Sequence, residues 1–311
     1  MRVGAYRTEY GVHKPICNGR CLVAHMGWYN LAPLSALLIV TPVAVWYAFV
    51  YRNLEESLKF PCLVAFGLLT VLSLYYLITA QLTEPGILPI VRYEQHYSNE
   101  VGPRLTTLVV LDGREFPLPL YRAKVSRVTD NCIEKFDHYC PWIGNAVGRR
   151  NYRYFVMFVT NVLILALLLT CTCVSILVLS ITQYNQELVD SIRDHMTEIL
   201  LTVYGLIMIV SLFLLWQFHV RAIAGNRTTN EILKRVYSRN NPNPHDKGCL
   251  KNYASFCCKP VPKSKVAELD DDSPLPIRGR STNGLDVRLL DVEDGSPMEL
   301  DIDENEAIIR T

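Results

Sequence analysis

Four stretches without a charged side chain, 31–51, 61–82, 155–181 and 199–218, constrain this chain more than any other feature. Each is about as long as a helix needs to cross the hydrocarbon of a bilayer. In lipid every backbone N–H and C=O must be satisfied within the segment, so runs of this kind become helices. Half of the 311 residues are hydrophobic, more than an ordinary soluble enzyme carries. The reading is an α-helical polytopic membrane protein with four transmembrane helices. Pro33 suits the first turn of the first helix, whereas Pro42 should kink it or open it locally. Trp46, Tyr47 and Tyr51 look like an interfacial belt.

The spans divide the chain into a segment at 1–30, two helices within 31–82, a polar segment at 83–153, two helices within 154–218, a block at 219–260 and a tail at 261–311. Lys and Arg gather in the first, third and fifth of these pieces (Arg2, Arg7, Lys14 and Arg20; Arg149 and Arg150; Arg221, Arg227, Lys234 and Arg235). The short links between paired helices lack that excess, so an even number of spans puts both termini and the 83–153 segment in the cytosol. Nothing before residue 30 reads as a removable signal peptide. From 266 onward thirteen acids face four basic residues, which reads as a disordered acidic tail. A formal charge of +1 gives no reason to expect a nucleic-acid partner. The spans carry no interior Asp, Glu, Lys or Arg, so an ion or proton path is poorly supported.

Ten cysteines are scattered along the chain, several of them inside the apolar runs, which reads as reduced thiols rather than a disulfide scaffold. His13, Cys17, Cys21 and His25 carry zinc-type donors, with ordinary flanking cysteines as the alternative. Cys257 and Cys258 are either acylated thiols or small buried hydrophobes.

The chemistry gathers at 132–155, C-I-E-K-F-D-H-Y-C-P-W-I-G-N-A-V-G-R-R-N-Y-R-Y-F. A thiol is mostly protonated at neutral pH and needs a base to become a good nucleophile. His138 stands two positions before Cys140, within reach if the backbone is extended, and Pro141 disfavours a helix at Cys140. Asp137 can fix the tautomer of His138 and steady its imidazolium, the logic of a nucleophile–base–orienter triad. The alternative for an isolated H-x-C is a structural or metal-binding pair.

With its surroundings this stretch resembles the DHHC-type protein S-acyltransferases (palmitoyltransferases), in a D-H-Y-C variant with a degenerate cysteine-rich domain. Beside D-H-Y-C-P-W-I-G-N-A-V-G stand E-P-G at 84–86, T-T-N-E at 228–231 and N-P-H-D-K-G-C-L-K-N-Y at 243–253, in order across residues 30–258. The resemblance implies a small cytosolic catalytic domain between helices 2 and 3. It implies that Cys140 takes a long-chain acyl group from palmitoyl-CoA and passes it to cysteines of membrane-associated proteins. His138 would be the general base and Asp137 its orienter. Thr229 and Glu231 would support the catalytic stretch, and Asn252 and Tyr253 would dock the C-terminal block. An acyl tail gains about 0.8 kcal/mol per buried methylene, so it belongs among apolar helices, with the thiol at the membrane surface. Trp142 marks that level as a candidate acyl-CoA contact. Arg149 and Arg150 are candidates for the CoA phosphates, with membrane-flanking charge as the alternative. An endomembrane (Golgi or endoplasmic reticulum) or plasma-membrane location is expected.

Two departures matter. The family usually has a zinc-ligating His where Tyr139 stands, and an upstream cysteine ladder binding two structural zincs. Here those positions hold Asp112, Glu115, Val125, Ser126, Thr129 and Ala146, and only Cys132 remains. One cysteine cannot build a tetrahedral site, although Asp112, Glu115 and Cys132 could share a metal. No metal is expected, and apolar packing by Val109, Val110, Leu111, Phe116, Leu118 and Phe136 would have to hold the fold. The second reading of the whole chain is a catalytically weak or inactive four-span scaffold that binds acyl chains or partner proteins.

Overall fold

The computed structural model describes residues 30–87, 131–182, 192–239 and 241–264, with shorter stretches at 13–16, 21–24, 106–111, 114–119, 122–126 and 128–129. Four helices long and apolar enough to cross a membrane dominate it, and the polar elements lie in the connections between them.

The first span begins as α1 (Ala32–Val45), widens into a π-helical turn at Trp46–Val50 and closes with a 3₁₀ turn at Tyr51–Asn53. Pro42 explains the irregularity, because it has no N–H for the Leu38 carbonyl. That carbonyl instead accepts a hydrogen bond from the Tyr204 hydroxyl at 2.6 Å. The helix stays continuous because a neighbouring helix satisfies the freed group. Trp46 does not join an interfacial belt. It is fully buried, stacked on Phe66 with ring centroids 3.8 Å apart, and its indole N–H donates to Thr172 Oγ1 at 3.0 Å. The π turn rotates Trp46 inward, whereas Tyr47 stays exposed.

The remaining spans are α2 (Glu56–Leu82), α3 (Tyr152–Thr182) and α4 (Met196–Ala224). Half of the apolar stretch of α3 is buried, against 22%, 17% and 11% for the first, second and fourth spans, so α3 is the central helix. It packs against both α2 and α4. Gly205 makes the α3–α4 approach possible: a Cβ there would lie 2.1 Å from Thr170 Oγ1. Leu68, Val71, Leu200, Val210 and Leu214 point outward, a surface suited to lipid and not to water.

Among the described residues the polar part contains four antiparallel two-stranded ribbons: β1 (His13–Ile16) with β2 (Cys21–Ala24), β3 (Thr106–Leu111) with β4 (Arg114–Pro119), β5 (Ala123–Ser126) with β6 (Asn131–Glu134), and β7 (His138–Cys140) with β8 (Asn145–Val147). Pro117 and Pro119 do not prevent a strand at 114–119, since in a two-stranded ribbon every strand is an edge. A short helix α5 (Thr229–Leu233) follows α4, and α6 (Cys249–Cys258) folds back onto it. The tail from 265 onward lies outside the described residues, as do Cys17, His25 and Asp112, and the side chains of Cys21, Val109, Val110, Leu111, Glu115, Phe116, Leu118, Val125 and Cys132.

Candidate active site

Alternation along β7 sends His138 and Cys140 to one face and Tyr139 to the other. Cys140, with Ile143 and Val147 from the same hairpin, belongs to the main apolar core shared with Phe155, Val156 and Val159 of α3. The opposite face, Tyr139 and its cross-strand partner Ala146, packs with Ile87, Ile133 and Phe136 in a second cluster. One hairpin is therefore clamped between the apolar helix bundle and a second, small apolar cluster.

Its turn, Pro141–Gly144, is fixed to the start of α1. The Pro141 carbonyl accepts from Leu31 N–H at 2.9 Å, and the Trp142 carbonyl accepts from Ser35 Oγ at 2.7 Å. Gly144 sits at φ +63°, and a Cβ there would lie 2.1 Å from Asn30 Oδ1, so geometry and space both require glycine. Trp142 itself is 47% exposed at this level.

Asp137 is buried, and its carboxylate is fully engaged. Oδ2 accepts from His138 Nδ1 at 2.7 Å and from Thr229 Oγ1 at 2.6 Å, and Oδ1 accepts from the Thr229 N–H at 2.8 Å. Burial opposes ionisation of Asp137, but the bond and charge of His138 and the Thr229 bond outweigh it and hold the carboxyl below its usual range. Burial likewise works against charge on His138. The bond to Asp137 and the Cys140 thiol within hydrogen-bonding range prevail and lift His138 to about 9. The imidazole therefore carries Asp137 on Nδ1 and faces the thiol with its remaining edge. Thiol, imidazole and carboxylate are linked in one chain of contacts.

The T-T-N-E segment builds the support in three steps. Thr228 caps α5 reciprocally with Glu231, Thr229 holds Asp137, and Glu231 takes the Arg122 guanidinium in two bonds of 2.7 and 3.0 Å. Arg122 also donates to the Asn226 carbonyl at 3.0 Å, and Lys135 Nζ donates to Asn226 Oδ1 at 3.1 Å. Burial first, then the charge of Arg122, lower the Lys135 amine to about 8. Asn252 Nδ2 donates to the Ala224 carbonyl and to Asp246, both at 2.7 Å, and the Tyr253 hydroxyl donates to the Val220 carbonyl at 2.7 Å. These bonds fasten α6 to the end of α4.

Residues 119–236 match the family model described as DHHC palmitoyltransferase. Palmitoyltransferase ZDHHC18-B of Danio rerio is 30% identical over 286 residues, covering 82% of this chain and 72% of that protein. The chain belongs to the DHHC palmitoyltransferase family. Palmitoyltransferase ZDHHC18 of Homo sapiens is 29% identical over 301 residues (86% of this chain, 76% of that protein). Protein S-acyltransferase 8 of Arabidopsis thaliana is 27% identical over 317 residues (91% and 76%). The protein is thus a polytopic membrane enzyme of the protein-cysteine S-palmitoyltransferase class, which uses an acyl-CoA donor.

The two arginines expected at the CoA phosphates have carboxylate partners here. Arg149 pairs with Glu134 and remains partly exposed. Arg150 is largely covered; it pairs with Glu84 of E-P-G and donates from Nε to the Pro262 carbonyl at 2.9 Å. Ser264 Oγ reaches the same Glu84 carboxylate at 3.0 Å. Arg150 therefore stitches the end of α2 to the segment that follows α6.

The sequence offered His13 only as a possible zinc donor and did not single out Asn145, Tyr152, Phe155 or His219. His13 is buried, contacting Asn145 Oδ1 through Nε2 at 3.0 Å and Asn131 Nδ2 through Nδ1 at 2.8 Å. Asn145 pairs across the hairpin with Cys140 and donates to the Gln81 and Thr83 carbonyls, so the N-terminal ribbon braces the strand opposite Cys140. Phe155, Tyr152 and His219 surround the His138 ring. A signal for His219 existed, since it directly follows the fourth apolar run, and an ionisable side chain in a span is a functional candidate by default.

Proposed function

We propose that Cys140 is the acyl-carrying nucleophile, His138 its base and Asp137 the orienter of His138. The hydrogen bond of His138 Nδ1 to Asp137, with His138 and Cys140 on one face of β7, carries this reading. In the first half-reaction the thiol proton already rests on His138, whose raised proton affinity favours the imidazolium, and the Cys140 sulfur attacks the thioester carbonyl of palmitoyl-CoA. The tetrahedral adduct collapses, the carbon–sulfur bond to CoA breaks, and the CoA thiolate takes the proton from His138. In the second half-reaction a substrate cysteine gives its proton to the neutral His138 and attacks the acyl-enzyme. The Cys140–acyl bond breaks, and the acyl group leaves on a cysteine of a membrane-associated protein. Asp137 stays ionised throughout and steadies each imidazolium.

The tail of the donor belongs among the spans. An apolar cleft of about 340 Å³ between α1 and α4, lined by Leu37, Leu38, Pro42, Val45, Leu201 and Tyr204, runs along the helix whose first turn holds the catalytic turn. Its lining stops short of Cys140, which keeps 6% of its surface exposed. Trp142 supports the start of the acyl path at the membrane level, and Arg149, the more exposed of the two arginines, is the better phosphate candidate.

The fold stands without zinc on this reading. Of the positions that carry ligands in the family, Tyr139 and Ala146 lie in an apolar cluster, and the Thr129 N–H donates to Ser126 Oγ at 3.3 Å. Thr129 Oγ1 bonds Asn131 at 2.8 Å, and Asn131 and Asn145 bond both ring nitrogens of His13. Neutral hydroxyls, amides and hydrocarbon are poor zinc donors. Among the described residues no group of three or more His, Cys, Asp or Glu side chains comes together. The basic ends of the spans support cytosolic termini and a cytosolic site in an endomembrane or plasma membrane.

The test is labelling with a clickable palmitate analogue. Wild type should incorporate it in a hydroxylamine-sensitive way, and Cys140→Ser should not. Undiminished labelling of Cys140→Ser would refute the assignment.

A further inference from the structure

We propose that His219 is a positioning residue for acyl transfer, holding the His138 imidazole in register with Cys140 through Phe155 and a hydrogen bond to Tyr152. The proposal rests on the Cys140–His138 reading above. The bond from Nδ1 to Asp137 fixes one edge of the imidazole, and a pivot of the ring about that edge is limited by what packs against it. The pivot is closed off by rings. The buried Phe155 ring stands edge-to-face with His138 at 5.2 Å and with His219 at 5.0 Å, so the two imidazoles lie side by side against one phenyl, their centroids 6.0 Å apart.

His219 is 2% exposed, and its Nδ1 lies 3.1 Å from the Tyr152 hydroxyl, which ties α4 to the first residue of α3 at the level of the site. A leucine would fill this place at the end of a span without demanding a partner, whereas a buried imidazole needs one. The structure supplies it and then clamps it. Phe256 of α6 packs against Tyr152 at 5.9 Å, and Tyr253 binds the carbonyl of Val220, the next residue after His219. The docking of α6 therefore reaches the catalytic imidazole through Phe256, Tyr152, His219 and Phe155. A displacement near 1 Å at a reacting group is enough to cost about a hundredfold in rate, so a support of this kind has kinetic consequences.

The experiment is single-turnover autoacylation of the purified full-length protein with palmitoyl-CoA from pH 6 to 10, in wild type, His219→Leu, His219→Asn, Tyr152→Phe and the His219→Leu/Tyr152→Phe pair. The groups titrating around His138 are Asp137 and Cys140 from its own segment, His219 from α4 and Tyr152 from α3. His219→Leu should slow acylation by roughly tenfold or more at unchanged half-saturating palmitoyl-CoA. It should also draw the limb set by His138 down from about 9, because a loosened ring loses the contacts to Asp137 and Cys140 that hold it there. Tyr152→Phe should do the same to a similar extent, and the double variant no more than either alone. His219→Asn, which keeps an amide atom for the Tyr152 hydroxyl, should recover most of the rate. A purely structural role would lower the fraction of protein that acylates and leave the pH limb in place. An unmoved limb in His219→Leu, or additive losses in the pair, overturns the proposal. A Cys140→Ser control that still acylates overturns the underlying assignment instead, so the two failures are distinguishable.

Discussion

Asp137 and His138 carry opposite displacements for one reason. Each is buried, burial favours the neutral form of each, and their mutual bond outweighs burial for both. A histidine lifted to about 9 contributes stability that is fully present below its unfolded value near 6.5 and is lost as pH rises through 9. The displacement is worth on the order of 3 kcal/mol. Lys135 works the other way. Lowered to about 8, it binds fewer protons folded than unfolded above that pH, so its contribution to stability rises with pH. The difference between wild type and Asp137→Asn isolates the histidine. Melting followed between pH 6.5 and 9.5 should show wild type losing its advantage over Asp137→Asn across this window. Equal slopes for the two proteins would contradict the coupling.

Among the helices, the decisive contacts are the ones that let irregular or tightly packed backbone survive in lipid. The α3–α4 seam depends on Gly205 opposite Thr170, whose hydroxyl is already turned back to the Ala166 carbonyl at 2.9 Å. Gly205→Ala should cost about 1–3 kcal/mol through overpacking, and Thr170→Ala in the same chain should restore most of it. Thermal unfolding in detergent measures both. Tyr204 answers for the backbone gap made by Pro42 one helix away. Tyr204→Phe leaves the Leu38 carbonyl unpaired and should cost about 1 kcal/mol, in the range found for hydrogen bonds between membrane helices. If Tyr204→Phe melts with wild type, the first span is satisfied in some other way.

The whole molecule holds the D-H-Y-C hairpin from three sides: α1 at the Pro141–Gly144 turn, α5 at Asp137, and the N-terminal ribbon at Asn145. Four positions where the resemblance implies zinc ligands, Ser126, Thr129, Tyr139 and Ala146, are engaged here with hydrocarbon and neutral hydrogen bonds. Incubation with a strong zinc chelator should therefore leave melting temperature and autoacylation unchanged, and metal analysis of the purified protein should find less than stoichiometric zinc. His13→Ala should destabilise the protein by about 1–3 kcal/mol, because it removes one hydrogen bond from each of two buried amides. A chelator-sensitive protein, or one indifferent to His13→Ala, would show that the hairpin is braced by something else.

The four spans and the D-H-Y-C face were legible in the amino-acid order because both are local. Apolar runs satisfy their own backbone in lipid, and residues two apart on a strand share a face. Thr229 and the C-terminal block were legible only through the family resemblance, since nothing in their own spacing points to Asp137 or α4. Tertiary structure alone decided the rest. His13 meets Asn145 across 132 positions, Arg122 meets Glu231 across 109, and Tyr152 meets His219 across 67. It also turned Trp46 inward and set Arg150 against Glu84, outcomes that no window of neighbouring residues specifies. Hydropathy and alternation record what each segment must bury, whereas the choice of partner depends on which segments the packed bundle brings within a few ångströms.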